Sequence, residues 1–295
     1  MSTITPPATL AQTLTALLAQ GLERLDAQLL LLHVLGCPLG QRGWLLAHDT
    51  DALPLTLAAQ LAPLVQRRLA GEPLAYLTGH KEFFGLDLAV DARVLVPRPD
   101  TETLVNWALA VLPGQPEERA DNSPPCSVLD LGTGSGAIAL ALKASRPALQ
   151  VLAVDVSHDA LAVAQANAQR LHLDVGFSQG AWYAGLADAS AKFDCIVSNP
   201  PYIAARDPHL AALTHEPLQA LASGADGLDD IRHLVTHAAE HLKPQGWLLL
   251  EHGYDQAQAV RALLLAAGFA QVQSRCDLAG IERCSGGQRH HHDMP

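Results

Sequence analysis

An asparagine, two prolines and a tyrosine stand together at Asn199-Pro200-Pro201-Tyr202, directly after the apolar run FDCIVS. An amide or exocyclic amino nitrogen is a poor nucleophile, because its lone pair is delocalised. The side-chain carbonyl of Asn199 and the backbone carbonyl of Pro200 can each accept one N–H of such an NH2 group. Held that way, the nitrogen turns its lone pair toward an electrophile as charge develops. Proline lacks an N–H and has a fixed φ, and Pro201 disfavours helical geometry at Pro200, so both carbonyls stay available. Tyr202 adds a flat face for a planar amide or base. The segment has the composition of a clamp for a planar NH2 group.

A second constellation lies upstream, in DLGTGSGAIALAL. Gly132, Gly134 and Gly136, with Thr133 and Ser135 between them, let backbone approach a ligand at a helix N-terminus. Gly132, Gly134 and Ala137 also satisfy a relaxed dinucleotide fingerprint, and Asp155 lies near the ~20-residue offset of an acid that binds ribose hydroxyls. Asp130 separates the two nucleotide readings. A carboxylate beside the turn repels a pyrophosphate, whereas S-adenosylmethionine has no phosphate and carries a cationic ammonium and a cationic sulfonium. The charge pattern favours S-adenosylmethionine as the cofactor.

These groups need elements to position them. From about Ala8 to Ala70 leucine and alanine recur at helical spacing, which predicts a small helical domain. Gly36 and Gly71 fall where helix ends would be capped, and Pro73 blocks resumption. EFFGLDLAV and ARVLV alternate apolar and polar residues around Asp91, which predicts a β-hairpin turning there. Asp100 or Thr101 then caps a helix whose first turn carries Glu102. After a Pro-rich linker, Pro113–Ser127, short apolar strands alternate with helices: SVLDL, QVLAVDV, FDCIVSNP and GWLLLEHG, with helices from Ala137, over DALAVAQANAQRL and near Ile231–Leu242. That order predicts an α/β fold with a mostly parallel, doubly wound sheet, whose ligands bind beyond the strands' carboxyl ends. The divisions expected are 1–74, a helical substrate-recognition domain, 75–97, a β-hairpin linker, and 98–295, the catalytic domain.

The chain's 295 residues are 49% hydrophobic, enough for a sizeable core. Its 19 Lys and Arg against 30 Asp and Glu give a formal net charge of -11, which weakens attraction to a phosphate backbone. Five scattered cysteines without a C-x-x-C pair read as reduced thiols of a cytoplasmic protein. No basic-then-apolar leader opens the sequence and no apolar run approaches the ~20 residues of a spanning helix, so a soluble enzyme without membrane contact is expected.

GEPLAYLTGHKEFFGLDLAVDARVLVPRPDTETLV, VLDLGTGSGAIALAL, VSNPPYI, EPLQAL and LLLEHG together resemble the HemK/PrmC family, the protein-(glutamine-N5) methyltransferases that modify peptide-chain release factors. The likeness runs from about Asp26 to Gln288. Asn-Pro-Pro-Tyr is shared with enzymes that methylate adenine amino groups; PRPDTE and the helical domain with its hairpin are the specific markers. The resemblance implies a class I methyltransferase fold with a seven-stranded sheet, S-adenosylmethionine as donor and a glutamine in a Gly-Gly-Gln loop as acceptor. It places Gly132 to Gly136 at the methionine portion, Asp155 at the ribose, Trp182 on the adenine side, and Asn199 to Tyr202 at the glutamine amide, with Asn199 bordering donor and acceptor alike. Asp130 is counted with the cofactor-binding residues by its charge, the alternative being that it only hydrogen-bonds the loop. Ala181 departs from the acid that relatives often carry before this aromatic. Arg98 and Glu102 would roof the pocket or bind substrate backbone, and Glu216, Glu251 and His252 would support the site by hydrogen bonds. A ribosomal-protein glutamine methyltransferase is the nearest rival; an adenine-amino methyltransferase is opposed by the acidic charge.

Two further signals are set aside. His233, His237 and His241 share one helix face, read as solvated rather than metal-binding. Gly286-Gly287-Gln288 coincides with the tripeptide the family modifies and is read as a chance occurrence in a terminal strand or tail.

Overall fold

Four consecutive leucines, Leu29–Leu32, make one helix the hub of the amino-terminal region. The computed structural model describes residues 8–112 and 124–290, and the chain divides into two units, Met1–His80 and Lys81–Pro295. The first contains α1 (Leu10–Ala19), α2 (Arg24–Val34), α3 (Arg42–Ala47), α4 (Leu55–Leu69) and α5 (Leu74–Thr78). In α2, Ala27, Leu30, Leu31 and Leu32 are fully buried, and this helix contacts the other four. Each buried leucine contributes about 2 kcal/mol. Thr9 opens α1 with a capping box: Thr9 Oγ1 accepts from the Gln12 amide and Gln12 Oε1 from the Thr9 amide. Gly36 and Gly71 follow the ends of α2 and α4 with φ of 67° and 95°, as their spacing predicts. Pro73 departs from expectation. Its φ of −55° suits a helix entry, so α5 starts at the next residue rather than being blocked.

β1 (His80–Phe83) and β2 (Leu86–Ala89) form the expected hairpin, but its turn is at Phe84-Gly85, not Asp91. Both turn residues are left-handed, with φ of 52° and 77°, the pattern of a two-residue turn that matches strand twist. The Phe84 amide donates to Glu102 Oε1 at 3.1 Å and the Gly85 amide to Glu82 Oε1 at 2.7 Å, which offsets the strain at Phe84. Asp91 makes a later turn, accepting from the Arg93 amide at 3.0 Å.

The second unit continues with α6 (Glu102–Val111), β3 (Ser127–Leu131), α7 (Ala137–Ser145), β4 (Gln150–Asp155), α8 (His158–Leu171), β5 (Gly176–Gln179), β6 (Phe193–Ser198), α9 (Asp229–His241), β7 (Leu242–Glu251), α10 (Ala257–Ala266), β8 (Ala270–Cys276) and β9 (Glu282–Gln288). No side chain caps α6: a 3₁₀ turn, Pro99–Thr101, leads into it, and the Thr101 hydroxyl is used elsewhere. Much of the Pro-rich stretch, and the tail from position 291, lie outside the described residues. The sheet has the order β5-β4-β3-β6-β7-β9-β8, parallel except for β9, which runs antiparallel to both neighbours. Leu129, Leu131, Ile196, Leu248 and Leu250 bring near-continuous apolar strands into its core. This is the class I methyltransferase architecture. Among the described residues no helix is long and apolar enough to cross a membrane.

The chain runs outward from β3 through β4 to β5, then returns to lay β6 on the other side of β3. That reversal opens a crevice at the carboxyl ends of β3 and β6, where Leu131 pairs with Ser198. Ser198 Oγ donates to the Leu131 carbonyl at 2.6 Å across it. The glycine loop and Asn199 are the next residues on either side.

Two signals set aside in the sequence are placed here. His241 is buried, not solvated, stacked on Tyr183 with ring centroids 4.7 Å apart, whereas His233 is exposed. Gly286 and Gly287 lie in β9, where an added Cβ would come within 2.6 Å of the Leu248 carbonyl oxygen or 2.8 Å of Phe269 Cβ. Packing therefore demands both glycines. The Gln288 amide nitrogen donates to the Gln245 carbonyl at 2.9 Å and its oxygen accepts from Gln271 at 2.6 Å, so this tripeptide is a strand component with its glutamine engaged.

Candidate active site

The loop after β3 is shaped by its own strand neighbours. The amides of Gly132 and Thr133 both donate to the Val154 carbonyl, at 2.8 and 3.0 Å. Gly136 has φ of 84°, and a Cβ there would meet Leu140 at 3.0 Å and Ala164 at 3.2 Å, so only glycine allows α7 to start this close to α8. The Gly134 amide donates to Asp155 Oδ2 at 2.8 Å and the Ser157 amide to Oδ1 at 2.9 Å. Each oxygen keeps lone-pair capacity for hydroxyls in the cleft, which Asp155 lines. Burial raises its pKa, and the backbone donors from Ser157 and Gly134 oppose that.

Asp130 does not line the cleft. Its side chain is fully buried, with Oδ2 accepting from Thr133 Oγ1 at 2.7 Å and from the Ala139 amide at 3.2 Å, and Oδ1 has no partner among the described residues. It clamps the loop from behind. Burial pushes its pKa up to about 7. The unfolded chain loses this proton near pH 4 and the folded chain only near 7, so stability from this group falls as pH rises through that window. The loss is of the order of 4 kcal/mol at about 1.4 kcal/mol per unit. Urea unfolding of Asp130→Asn between pH 4 and 8 is expected to show a flatter profile than wild type.

Beyond the loop is a cleft of about 220 Å³. Gly132, Gly134, Asp155, Trp182, Asn199 and Pro201 line it, as do Arg93, Val94 and Leu95 from one strap and Pro217, Gln219 and Ala220 from another. Both straps fall inside segments that carry the family resemblance, ARVLV and EPLQAL, but nothing in their residue types or spacing marks them as cleft-lining. Trp182 sits at φ 51°, uncommon for a bulky residue. Its ring lies against Gly132, 3.2 Å from where a Cβ would stand, and its Nε1 donates to Asp230 Oδ1 at 3.2 Å. Asp230 belongs to the cleft too and was missed from sequence. Ala181, the position without an acid, also faces it.

Asn199 follows β6. Ser198 pairs with Leu250, so Glu251 comes to rest beside Asn199 at the end of β7. Asn199 Nδ2 donates to Thr101 Oγ1 at 3.3 Å, and both side chains hydrogen-bond Glu251. Glu251 is 2% exposed, and burial pushes its pKa up to about 7. No hydrogen bond from the described residues reaches the Pro200 carbonyl. The Tyr202 carbonyl accepts from Gln256 Nε2 at 3.0 Å and the Ile203 amide donates to the Leu221 carbonyl at 2.9 Å, which pins the backbone after the prolines. Burial raises the Tyr202 hydroxyl pKa and keeps it neutral.

Arg98 and Glu102 are not brought to the cleft. Arg98 pairs with buried Glu216, whose other oxygen accepts from the Val96 amide at 3.2 Å, and Glu102 holds the hairpin turn. Thr133, Ser135 and Gly136 are buried in the loop; of the clamp, Asn199 and Pro201 line this cleft, and Pro200 and Tyr202 are not among its lining residues. Asn167 has no sequence signal beyond a polar residue on the inner face of α8. Fully buried, it accepts from the Ala89 amide at 2.8 Å and donates to the carbonyls of Ala89 and Ser135, both at 3.0 Å. One side chain thereby ties the hairpin to the glycine loop. Asn167→Leu removes the partner of one buried and two partly buried backbone groups and is expected to cost about 3 kcal/mol in urea unfolding.

The donor set suits a cationic nucleoside. The charged lining is Asp155, Asp230 and Arg93, and the glycine loop that would cradle a pyrophosphate has the Asp155 carboxylate on its Gly134 amide. S-adenosylmethionine fits such a site and a dinucleotide does not.

Comparison with known proteins agrees with this. The PrmC N-terminal domain model matches residues 9–79, and the Methyltransferase small domain model matches 118–277. Release factor glutamine methyltransferase of Bordetella pertussis is 51% identical over 90% of this chain and 95% of its own. The Burkholderia pseudomallei protein of the same name is 48% identical over 98% of this chain and 99% of its own. A methyltransferase structure from Pyrococcus furiosus shares the fold, with a TM-score of 0.53 at 18% identity over 77% of this chain and 98% of that one. With relatives near half identical along almost its entire length, the chain belongs to the release factor glutamine methyltransferases.

Proposed function

We propose that this enzyme methylates the side-chain amide nitrogen of the glutamine in the Gly-Gly-Gln loop of peptide-chain release factors, with S-adenosylmethionine as donor. One observation carries the reading: Asn199 stands at the switch point of the sheet with its amide nitrogen committed to Thr101, beside a glycine-loop cleft lined by Asp155. S-adenosylmethionine supplies a methyl group bonded to a cationic sulfur. Asp155 takes the ribose hydroxyls, the Gly132–Gly136 backbone borders the methionine portion, and Trp182 walls the adenine side. Asn199 Oδ1 and the Pro200 carbonyl accept the two N–H groups of the glutamine amide while Tyr202 packs on its plane. As the carbon–nitrogen bond forms, the donor's carbon–sulfur bond would break to leave a neutral thioether, and the acceptor nitrogen sheds one proton to water then or afterwards, so a strong general base is not required. Asp130 acts through the loop it clamps. Arg98 and Glu102 act through the straps they tie, rather than on substrate.

The net charge of -11 favours a protein acceptor over a nucleic acid. Sharing its substrates' compartment, the enzyme works in the cytoplasm. Incubation with labelled S-adenosylmethionine and candidate release factors, followed by peptide mass spectrometry, is expected to place one methyl on the Gly-Gly-Gln glutamine. A label on nucleobases or on a ribosomal protein instead would overturn the substrate.

A further inference from the structure

A carboxamide has a donor end and an acceptor end of almost the same shape, and only one orientation of Asn199 can hold an N–H. We infer that Thr101 and Glu251 are positioning residues that fix the Asn199 carboxamide with its oxygen toward the acceptor; this rests on the function proposed above. All three side chains meet at one point. The β6–β7 register sets Glu251 beside Asn199, and the 3₁₀ turn before α6 brings Thr101, 4% exposed, against both.

The order of donors and acceptors follows from the chemistry of the innermost group. An ionised carboxylate only accepts, so the single hydroxyl proton of Thr101 goes to Glu251. Thr101 Oγ1 then has only lone pairs left for Asn199, and Nδ2 fills one at 3.3 Å. Asn199 also donates to Glu251. With its nitrogen committed on the inner side, the carboxamide presents Oδ1 to the cleft that Asn199 lines. Protonated Glu251 reverses the chain: the carboxyl donates to Thr101, the hydroxyl donates onward, and the carboxamide turns its nitrogen toward the acceptor.

Packing alone gives no reason for a carboxylate here. Glu251 Oε2 has no partner among the described residues, and an unpaired buried carboxylate lowers stability. Arg283 on β9 is the cation facing it, and that guanidinium lies 3.4 Å from Asp100 and 3.3 Å from Asp277. Asp100 faces Glu251 with like charge, and the Tyr202 hydroxyl and Cys284 thiol complete the surrounding ionisable groups. Burial and Asp100 together put the titration of Glu251 near neutrality, where the reversal can be measured.

The test uses the full-length enzyme with labelled donor and a Gly-Gly-Gln release factor. Thr101→Val is expected to lower kcat about tenfold or more, with donor Kd and Tm close to wild type, and Thr101→Ser to restore the rate. The wild-type kcat should fall as pH drops below about 7, and Glu251→Gln, which cannot titrate, should remove that acid limb. In an Asn199→Ala background, Thr101→Val should have almost no further effect, because it acts through a group already gone. Wild-type kcat in Thr101→Val, an unchanged acid limb in Glu251→Gln, or an equal loss in both backgrounds would each overturn the inference. If Glu251→Gln does not fold, the comparison of Thr101→Val with Thr101→Ser in the two backgrounds decides alone. Failure of the wild type to label glutamine, or full activity in Asn199→Ala, would instead refute the proposed function itself.

Discussion

Asn199→Ala is expected to reduce the rate of methyl transfer by about 10²–10³-fold, the usual cost of removing one preorganised polar group aimed at developing charge. Donor affinity should change by no more than a few-fold, since Asp155 and the glycine loop remain. The loss belongs in kcat because the acceptor amide is planar and unreactive in the ground state. Only as the carbon–nitrogen bond forms does the nitrogen become positive, and only then do its N–H groups need strong acceptors. Single-turnover labelling of a release factor measures it. A rate equal to wild type would leave Asn199 without a role in the chemistry.

Asp155→Ala should act on binding. A carboxylate accepting two ribose hydroxyls contributes roughly 3 kcal/mol, so donor Kd should rise about 100-fold in calorimetry. Part of that loss comes from the loop, because the Gly134 amide donates to Asp155 at 2.8 Å and would lose its partner. Asp155→Asn separates the two contributions: its carbonyl oxygen can still take the Gly134 amide, but the negative charge is gone. An intermediate rise of about tenfold is expected. Unchanged affinity in both variants would move the ribose elsewhere.

The motifs were legible because their physical requirements are local. The Gly132–Gly136 loop, the acid 21 residues beyond Gly134 and the two prolines each constrain backbone or charge within a few positions, and all of them fall at the carboxyl ends of β3, β4 and β6. Where the reading failed, the deciding partner was distant in sequence. Asp91 looked like the hairpin turn because Asp favours turns, yet Phe84-Gly85 turns instead, held by Glu102 18 residues away. The family resemblance offers Glu102 and Arg98 as pocket roof or substrate-backbone contacts, and local sequence does not show what each side chain holds. Their partners, the Phe84 amide and Glu216, lie 18 and 118 residues away along the chain. His241 shares a helical face with His233, but the face runs from solvent into the core, and a periodicity cannot show where burial begins.

The amino-acid order alone determined the alternation of strands and helices, the glycine-rich turn after β3 and the polar and proline composition of the segment after β6, since these depend on residue types at short spacing. The tertiary structure decided which groups stand within reach of one another. Sheet register aligned Glu251 with Asn199, the strand reversal beside β3 set the glycine loop against the clamp, and Asn167 joined hairpin to loop across 78 residues. Hydrogen bonds act over about 3 Å of space regardless of separation along the chain, so the orientation of the Asn199 carboxamide was settled only when the fold brought Thr101 and Glu251 to its inner side.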